Sequence, residues 1–173
     1  MSGYVLGIDP GLTGGVVVLP FGGASCMFAK PMPTMPAGGS KREVDPAELC
    51  DMISQFQDML LLAVIEKVGA RPGQGVTSMF SFGYSCGVVC GIVGGMGVRI
   101  ERPTPQRWKK DVLHGLNRSD PAAEKGAAIA YCRRAFPGVN LIPPGCRVPH
   151  SGIAEALCMA EWGRRLLTGK AVA

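Results

Sequence analysis

Hydrophobic residues dominate residues 4–19, where two apolar runs flank a turn that contains Gly11, Gly14 and Gly15. This pattern predicts two β-strands joined by a glycine-rich turn. Asp9 ends the first run, and a carboxylate at the end of a buried strand is costly unless it has a partner. Two interpretations remain open. Either Asp9 caps the turn, or it pairs with a metal ion or another cation while the glycines leave room for an anionic ligand.

Three further strands are predicted along the chain, at residues 24–30, 61–66 and 98–102. Residues 30–40 predict an exposed loop, because they contain three prolines and two glycines. The run at residues 61–66 is continuously apolar up to Glu66, which is typical of a strand covered on both faces. If this strand lies beside the first one, Asp9 and Glu66 emerge at the same edge of an α/β sheet. In the alternative interpretation, Glu66 pairs with Lys67 at the surface.

A long helix is predicted at residues 77–93, which combine three aromatic residues with glycines about four residues apart. Small residues at this spacing permit close packing of helices. The segment is too short and too interrupted to be read as a membrane span. Two placements remain open for this helix: a subunit interface, or an internal position against the sheet.

Cations surround an aromatic residue in a short helix that begins at Thr104 and Pro105; the residues are Arg107, Trp108, Lys109 and Lys110. This cluster is suited to hold phosphates, or it forms a solvated face with Trp108 in the core. Further helices are predicted to begin at residues 45, 120 and 151, and Glu155 lies in the first turns of the last one.

The composition is that of a globular protein. The chain has 173 residues, 47% of them hydrophobic and 18% charged, which suits one domain over residues 1–173 and excludes disorder. The net charge of +5 is compatible with a polyanionic partner and equally with ordinary solubility. Seven cysteines without a CxxC pair and only two histidines argue against zinc and favour reduced thiols inside a cell. We expect neither secretion nor membrane insertion, because no signal peptide and no apolar run of ~20 residues is apparent.

Three carboxylates stand at the ends of predicted elements, namely Asp9, Glu66 and Glu155. Oxygen ligands of this kind suit Mg²⁺ or Mn²⁺. Two such ions held close together can activate water and stabilise the leaving oxygen of a phosphodiester. Lysines and arginines around such a centre would then hold a nucleic-acid backbone.

Four groups of motifs occur in order along the chain. They are Gly-Ile-Asp-Pro-Gly at residues 7–11, Val-Ile-Glu-Lys-Val at 64–68, the stretches 72–75 and 82–84 followed by 104–110, and His-Ser-Gly-Ile-Ala-Glu-Ala-Leu at 150–157. Together they resemble the RuvC-type Holliday-junction resolvases, most of all the phage-borne and chloroplast branches. The resemblance implies a ribonuclease-H-like fold, with a five-stranded mixed sheet flanked by helices. It also implies a homodimer that resolves four-way DNA junctions by paired nicks.

The same resemblance implies which residues form the site. Asp9, Glu66 and Glu155 correspond to metal-binding acids of the family, which would hold Mg²⁺ or Mn²⁺, with two ions per site. Branched DNA would be contacted by basic residues near the scissile phosphate and by aromatic residues at the opened junction centre. These contacts would come from Arg71, Arg107, Lys109, Lys110, Phe80, Phe82 and Tyr84.

Position 151 departs from the family pattern, because relatives usually have an acid or a histidine where this chain has Ser151. Several explanations remain open. Ser151 caps the helix, the neighbouring His150 supplies the missing contact, or the protein is an engineered variant or a junction-binding protein with weak or no catalysis. Both residues therefore belong to the candidate catalytic set. A sugar-kinase-like phosphate binder is disfavoured, because such enzymes need two similar domains and this chain has length for one.

Overall fold

A computed structural model describes residues 3–23, 25–67, 69, 73, 75–113 and 121–169, with the backbone alone for residues 121–125. Its centre is a five-stranded sheet in the order β3-β2-β1-β6-β7. The strands are β1 Tyr4–Asp9, β2 Gly15–Pro20, β3 Phe28–Pro31, β6 Leu60–Ile65 and β7 Ile100–Glu101. β1 pairs antiparallel with β2 and parallel with β6, so the sheet is mixed and the predicted α/β fold class is confirmed. The third and fifth strands are shorter than the sequence predicts.

A small hairpin replaces part of the exposed loop predicted at residues 30–40. Strand β4 (Thr34–Pro36) pairs antiparallel with β5 (Arg42–Val44) and forms a separate two-stranded sheet. Gly38 and Gly39 make the turn possible, because both have positive φ angles, of 95° and 58°. The prolines that suggested a loop are tolerated because a two-stranded ribbon leaves backbone positions unpaired.

Five helices cover the two faces of the central sheet: α1 Pro46–Ser54, α2 Val76–Gly95, α3 Pro105–Val112, α4 Pro121–Ala135 and α5 Ser151–Leu167. Buried side chains of α3, α4 and α5 pack on one face with Val5, Val17 and Val64. Buried side chains of α1 and α2 pack on the other face with Leu6 and Ile8. Alternate residues of β1 thus enter opposite cores, as the period of a β-strand requires.

Helix α2 is longer and more exposed than the sequence predicts. It runs for 20 residues, of which only Ser85, Val89 and Val93 are buried. Among the described residues, it is the one helix with the length and apolar composition that would suffice to cross a membrane, so the expectation that the segment is too short was wrong. Glycine lowers helix propensity without breaking the helix, which explains why the repeated glycines did not interrupt it. Val76 and Phe80 on this helix are 78% and 77% exposed.

Helix α5 lies directly on the β1–β2 hairpin, because glycines remove the side chains that would separate them. Gly14 forms an isolated parallel bridge with Gly152. A Cβ on Gly15 would stand 2.8 Å from the Cα of Ile153, and a Cβ on Gly152 would collide with the backbone of Thr13 and Gly14. Gly15 and Gly152 therefore permit this close approach of the helix, whereas a Cβ on Gly14 would collide with the backbone of Asp9 and Gly11 in its own turn.

We predict that Gly152→Ala lowers the melting temperature, because the added methyl group meets backbone that cannot move aside. Overpacking of this kind costs about 1–3 kcal/mol. Gly126→Ala on α4 is the control, since a Cβ there meets nothing within 4 Å. In an exposed helix that change should keep or raise the melting temperature. Equal melting temperatures for the Gly152 variant and the parent would contradict the proposed close contact.

Candidate active site

The three predicted acids are carried by three different elements that meet at one edge of the sheet. Asp9 is the last residue of β1, and Glu66 directly follows β6. The two strands are parallel neighbours, and the backbone N–H of Glu66 donates to the carbonyl oxygen of Ile8 at 3.3 Å. Glu155 lies in the second turn of α5, which the glycine contact holds against the β1–β2 turn. Both Glu66 and Glu155 act electrostatically on Asp9.

Asp9 is partly buried and carries an unfavourable negative charge. Burial, and to a smaller extent the negative charges of Glu155 and Glu66, raise the pKa of its carboxyl group to about 7. The N–H of Gly11 donates to Oδ1 of Asp9 at 3.2 Å and acts in the opposite direction, as does the Lys109 ammonium. Asp9 therefore caps the turn, as the first interpretation predicts, and it lies near Glu66 and Glu155, while its pairing with a metal ion stays a prediction.

Glu66 and Glu155 each have a partner on α3. Nε1 of Trp108 donates a hydrogen bond to Oε1 of Glu66 at 3.0 Å. Nζ of Lys109 lies 3.5 Å from Oε1 of Glu155 in a mostly buried ion pair. The same ammonium lies 5.3 Å from the centre of the Trp108 ring. Helix α3 thus places a hydrogen-bond donor and a cation against two of the three acids.

The donor chemistry of this cluster fits a divalent cation, since Asp9, Glu66 and Glu155 offer only carboxylate oxygens. Their positions are not yet those of a closed metal cage. Among the described residues, no group of three or more acidic, histidine or cysteine side chains is close enough to hold a metal ion. To bind a cation, Glu155 would have to exchange part of its contact with Lys109 for the metal ion.

His150, and not Ser151, caps the last helix. Nδ1 of His150 accepts a hydrogen bond from the backbone N–H of Ile153 at 3.3 Å. Partial burial lowers the pKa of His150, which agrees with a neutral ring that accepts this bond. Ser151 is the exposed first residue of α5, one turn before Glu155. The suggestion that Ser151 caps the helix was therefore wrong, and Ser151 is left beside the acid cluster without the capping role.

The predicted basic residues divide between the site and its surroundings. Lys109 lies at the acids, and Lys110 is exposed on the next position of α3. The guanidinium of Arg107 stacks over the ring of Trp162, with its Cζ 5.3 Å from the ring centre. Arg71 lies outside the described residues. Trp108 is fully buried, as the second interpretation of the cluster predicts, whereas the binding of phosphates by these cations stays a prediction.

The three predicted aromatic residues line one cavity beside the site. Phe80, Phe82 and Tyr84 of α2 face a cavity of about 710 Å³ that also contacts the β4–β5 hairpin and Leu12. A Cβ on Gly11 would lie 3.9 Å from the ring of Phe82 and 3.5 Å from Oδ1 of Asp9. The acids do not line this cavity, but Leu12 and Phe82 in its wall lie at the turn that follows Asp9.

Comparison with known proteins supports this fold. No protein-family model matches the chain. The chloroplastic Holliday junction resolvase MOC1 of Chlamydomonas reinhardtii is 29% identical over 109 residues, which is 62% of this chain. The chain spans only 12% of the length of that relative. The structure of Thermus thermophilus RuvC superposes with a TM-score of 0.65 at 19% identity, over 97% of this chain and 98% of that chain.

The fold is that of RuvC. T. thermophilus RuvC in complex with a Holliday junction substrate also superposes with a TM-score of 0.65, at 16% identity over 98% of both chains. The expected ribonuclease-H-like architecture and the resemblance to RuvC-type resolvases are thus confirmed. The sequence correctly predicted that Asp9 and Glu66 emerge at the same sheet edge. It did not predict the hydrogen bond between Trp108 and Glu66. A buried tryptophan usually needs a hydrogen-bond partner for its indole N–H, and this rule was the signal that could have indicated such a bond.

We predict that Asp9→Asn raises the melting temperature of the metal-free protein at pH 8. At that pH the aspartate is charged although burial and two acids disfavour the charge. The asparagine oxygen can still accept the bond from Gly11 while the charge is removed. A rise of about 2–4 °C corresponds to about 1 kcal/mol for a chain of this size. Thermal unfolding with a chelator present measures it, and a lower melting temperature would contradict the electrostatic account.

Proposed function

We propose that this protein is a divalent-metal-dependent endonuclease that resolves four-way DNA junctions by paired nicks. The observation that carries this proposal is the convergence of Asp9, Glu66 and Glu155 at one sheet edge of a RuvC fold. The named relatives support it, because one is a Holliday junction resolvase and another is solved with a Holliday junction substrate.

The proposed metal ligands are Asp9, Glu66 and Glu155, with Mg²⁺ or Mn²⁺ as the ions and two of them per site. When bound, such ions neutralise the phosphodiester and supply an activated water. The chain's own contribution is positioning. Lys109 would hold a phosphate oxygen next to Glu155, and a bound cation would offset the repulsion that Glu155 and Glu66 exert on Asp9. Ser151 and His150 would complete the rim of the site on α5.

The proposed DNA contacts lie on both sides of the acids. Lys110, Arg107 and Arg71 would bind backbone phosphates. Phe80, Phe82 and Tyr84 would stack on unpaired bases, since their cavity reaches the turn that follows Asp9 and single-stranded bases favour aromatic faces. A protein that acts on DNA would work inside a cell or an organelle, and the reduced cysteines are consistent with this location.

The deciding experiment is cleavage of an end-labelled four-way junction with Mg²⁺ or Mn²⁺, beside a plain duplex and a flap. We expect symmetrical nicks in the junction only. Because even outer-shell partners of a metal ion are worth about 10–100-fold, Glu66→Gln and Glu155→Gln should each lose at least that much cleavage while junction binding persists. Glu48→Gln makes the same chemical change at an exposed position of α1 and should cut at the parental rate.

A second candidate is a junction-binding protein without catalysis. It is favoured by Ser151 in place of an acid and by the absence, among the described residues, of a ready metal cluster. Tight binding to the four-way junction with no cleavage at any metal concentration would select this candidate. In that case Ser151→Asp should create cleavage, because the new carboxylate lies one turn before Glu155 on the same helix.

We also propose that α2 joins two copies of the chain. Gly83, Gly87 and Gly91 are exposed one turn apart, and a Cβ on any of them meets nothing within 4 Å. A partner helix could approach closely there, and paired nicks need two sites related by a two-fold axis. Insertion of α2 in a membrane explains the structure less well than a dimer does. Phe82 of this helix lies beside Gly11, so lipid around α2 would also lie next to the acids.

Gly87→Leu should weaken this dimer at least about fivefold, because overpacking of a contact costs about 1–3 kcal/mol. Sedimentation equilibrium measures the effect, and Gly126→Leu on α4 is the control because that glycine is also exposed. A monomeric parent protein that still makes paired nicks would contradict this interface. Partition of the parent protein into neutral lipid vesicles would contradict it as well.

A further inference from the structure

The chain has two tryptophans, and each donates its indole N–H to a carboxylate oxygen. Nε1 of Trp162 donates to Oδ2 of Asp111 at 2.8 Å, which joins α5 to the end of α3. Nε1 of Trp108 donates to Oε1 of Glu66 at 3.0 Å, which joins the start of α3 to the sheet edge. The two bonds have the same chemistry, but only the second one ends on an acid of the candidate site.

The backbone around this bond fixes where the indole can point. The N–H of Lys67, directly after Glu66, donates to the carbonyl oxygen of Pro103 at 2.8 Å. Helix α3 then starts at the Thr104 cap, whose side chain accepts from the N–H of Arg107. Trp108 itself is fully buried among residues of the α3–α4–α5 core. The ring therefore has little freedom, and Glu66 receives its hydrogen bond from a rigid donor.

The same ring also adjoins the cation of the site. Nζ of Lys109 lies 5.3 Å from the centre of the Trp108 ring and 3.5 Å from Oε1 of Glu155. An ammonium near an aromatic face is attracted by the ring electrons. One indole thus contacts Glu66 through its edge and Lys109 through its face, and Lys109 reaches Glu155.

We infer that Trp108 is a positioning residue for the metal-binding acids. Its N–H sets the orientation of the Glu66 carboxylate, and its ring helps to place the Lys109 ammonium beside Glu155. A hydrogen bond to one oxygen of a ligating carboxylate fixes which lone pairs can face a cation. This inference rests on the proposed function, because it assigns Glu66 to a divalent-metal site.

The main test compares Trp108→Phe with Trp162→Phe. Both variants keep an aromatic ring in the core and lose one indole-to-carboxylate bond, so both should lose similar stability in thermal unfolding. Binding of Mn²⁺ to the DNA-free protein is then followed by electron paramagnetic resonance. We expect Trp108→Phe to bind Mn²⁺ roughly tenfold more weakly, the usual scale for an outer-shell partner. Trp162→Phe should bind like the parent.

Three results of this titration decide between the accounts. Weaker Mn²⁺ binding by Trp108→Phe alone supports the positioning role. Parental binding by Trp108→Phe, while Glu66→Gln binds weakly, overturns the positioning role and leaves the proposed metal site intact. Parental binding by Glu66→Gln overturns the proposed site, and the inference with it.

A second measurement does not depend on how Trp108→Phe folds. With only two tryptophans, the indole N–H signals in a ¹⁵N-edited NMR spectrum are assigned by Trp162→Phe alone. Glu66→Gln replaces a charged acceptor with a neutral one, so it should shift the Trp108 indole signal and leave that of Trp162 in place. An unmoved Trp108 signal would overturn the inference.

Discussion

The backbone contact between helix α5 and the β1–β2 hairpin is the constraint on which the site depends. Gly14 and Gly152 meet there without a side chain between them, and Gly7 permits the same approach further along the helix. This contact brings Glu155 to the edge where β1 and β6 end. A layer of ordinary side chains would move the helix outward, and Glu155 would then stand away from Asp9. Close packing of α5 on the hairpin therefore determines where Glu155 lies, and the charges of the acids have a secondary influence on the site.

The electrostatics of the site oppose the stability of the metal-free fold. Burial and two neighbouring acids raise the pKa of Asp9, and one ammonium from Lys109 offsets only part of that repulsion. At its other end, α5 is held by a compact set of opposite charges, in which Arg164 and Arg165 pair with Glu161 at 2.6 and 2.9 Å. Arg165 also donates to the hydroxyl of Tyr131 and to the backbone of Asp111. These contacts at the C-terminal end stabilise α5, while Glu155 near its N-terminal end belongs to a cluster with an excess of negative charge.

Much of the sheet and the acids could be predicted because both depend on local patterns. Continuous apolar runs identified β1, β2 and β6, and Asp9 and Glu66 stood directly at the ends of β1 and β6. The β4–β5 hairpin was missed because the proline-rich composition indicated a loop. Its turn depends on the positive φ angles of Gly38 and Gly39, which the composition does not report. The role of His150 was missed because histidine is an uncommon helix cap. The bond from Trp108 to Glu66 joins residues 42 positions apart, and no local pattern reports such a pairing.

The exposed glycines of α2 make the stability of this helix depend on a partner that packs against it. Each glycine inside a helix costs about 1 kcal/mol relative to alanine, and α2 contains five among its 20 residues. Only three of its residues are buried against the rest of the chain, so little packing offsets that cost. An uncovered α2 would then open more often than the sheet beneath it and exchange its amide hydrogens sooner. Since Phe82 reaches the turn at Gly11, such openings would also loosen one wall of the acid site.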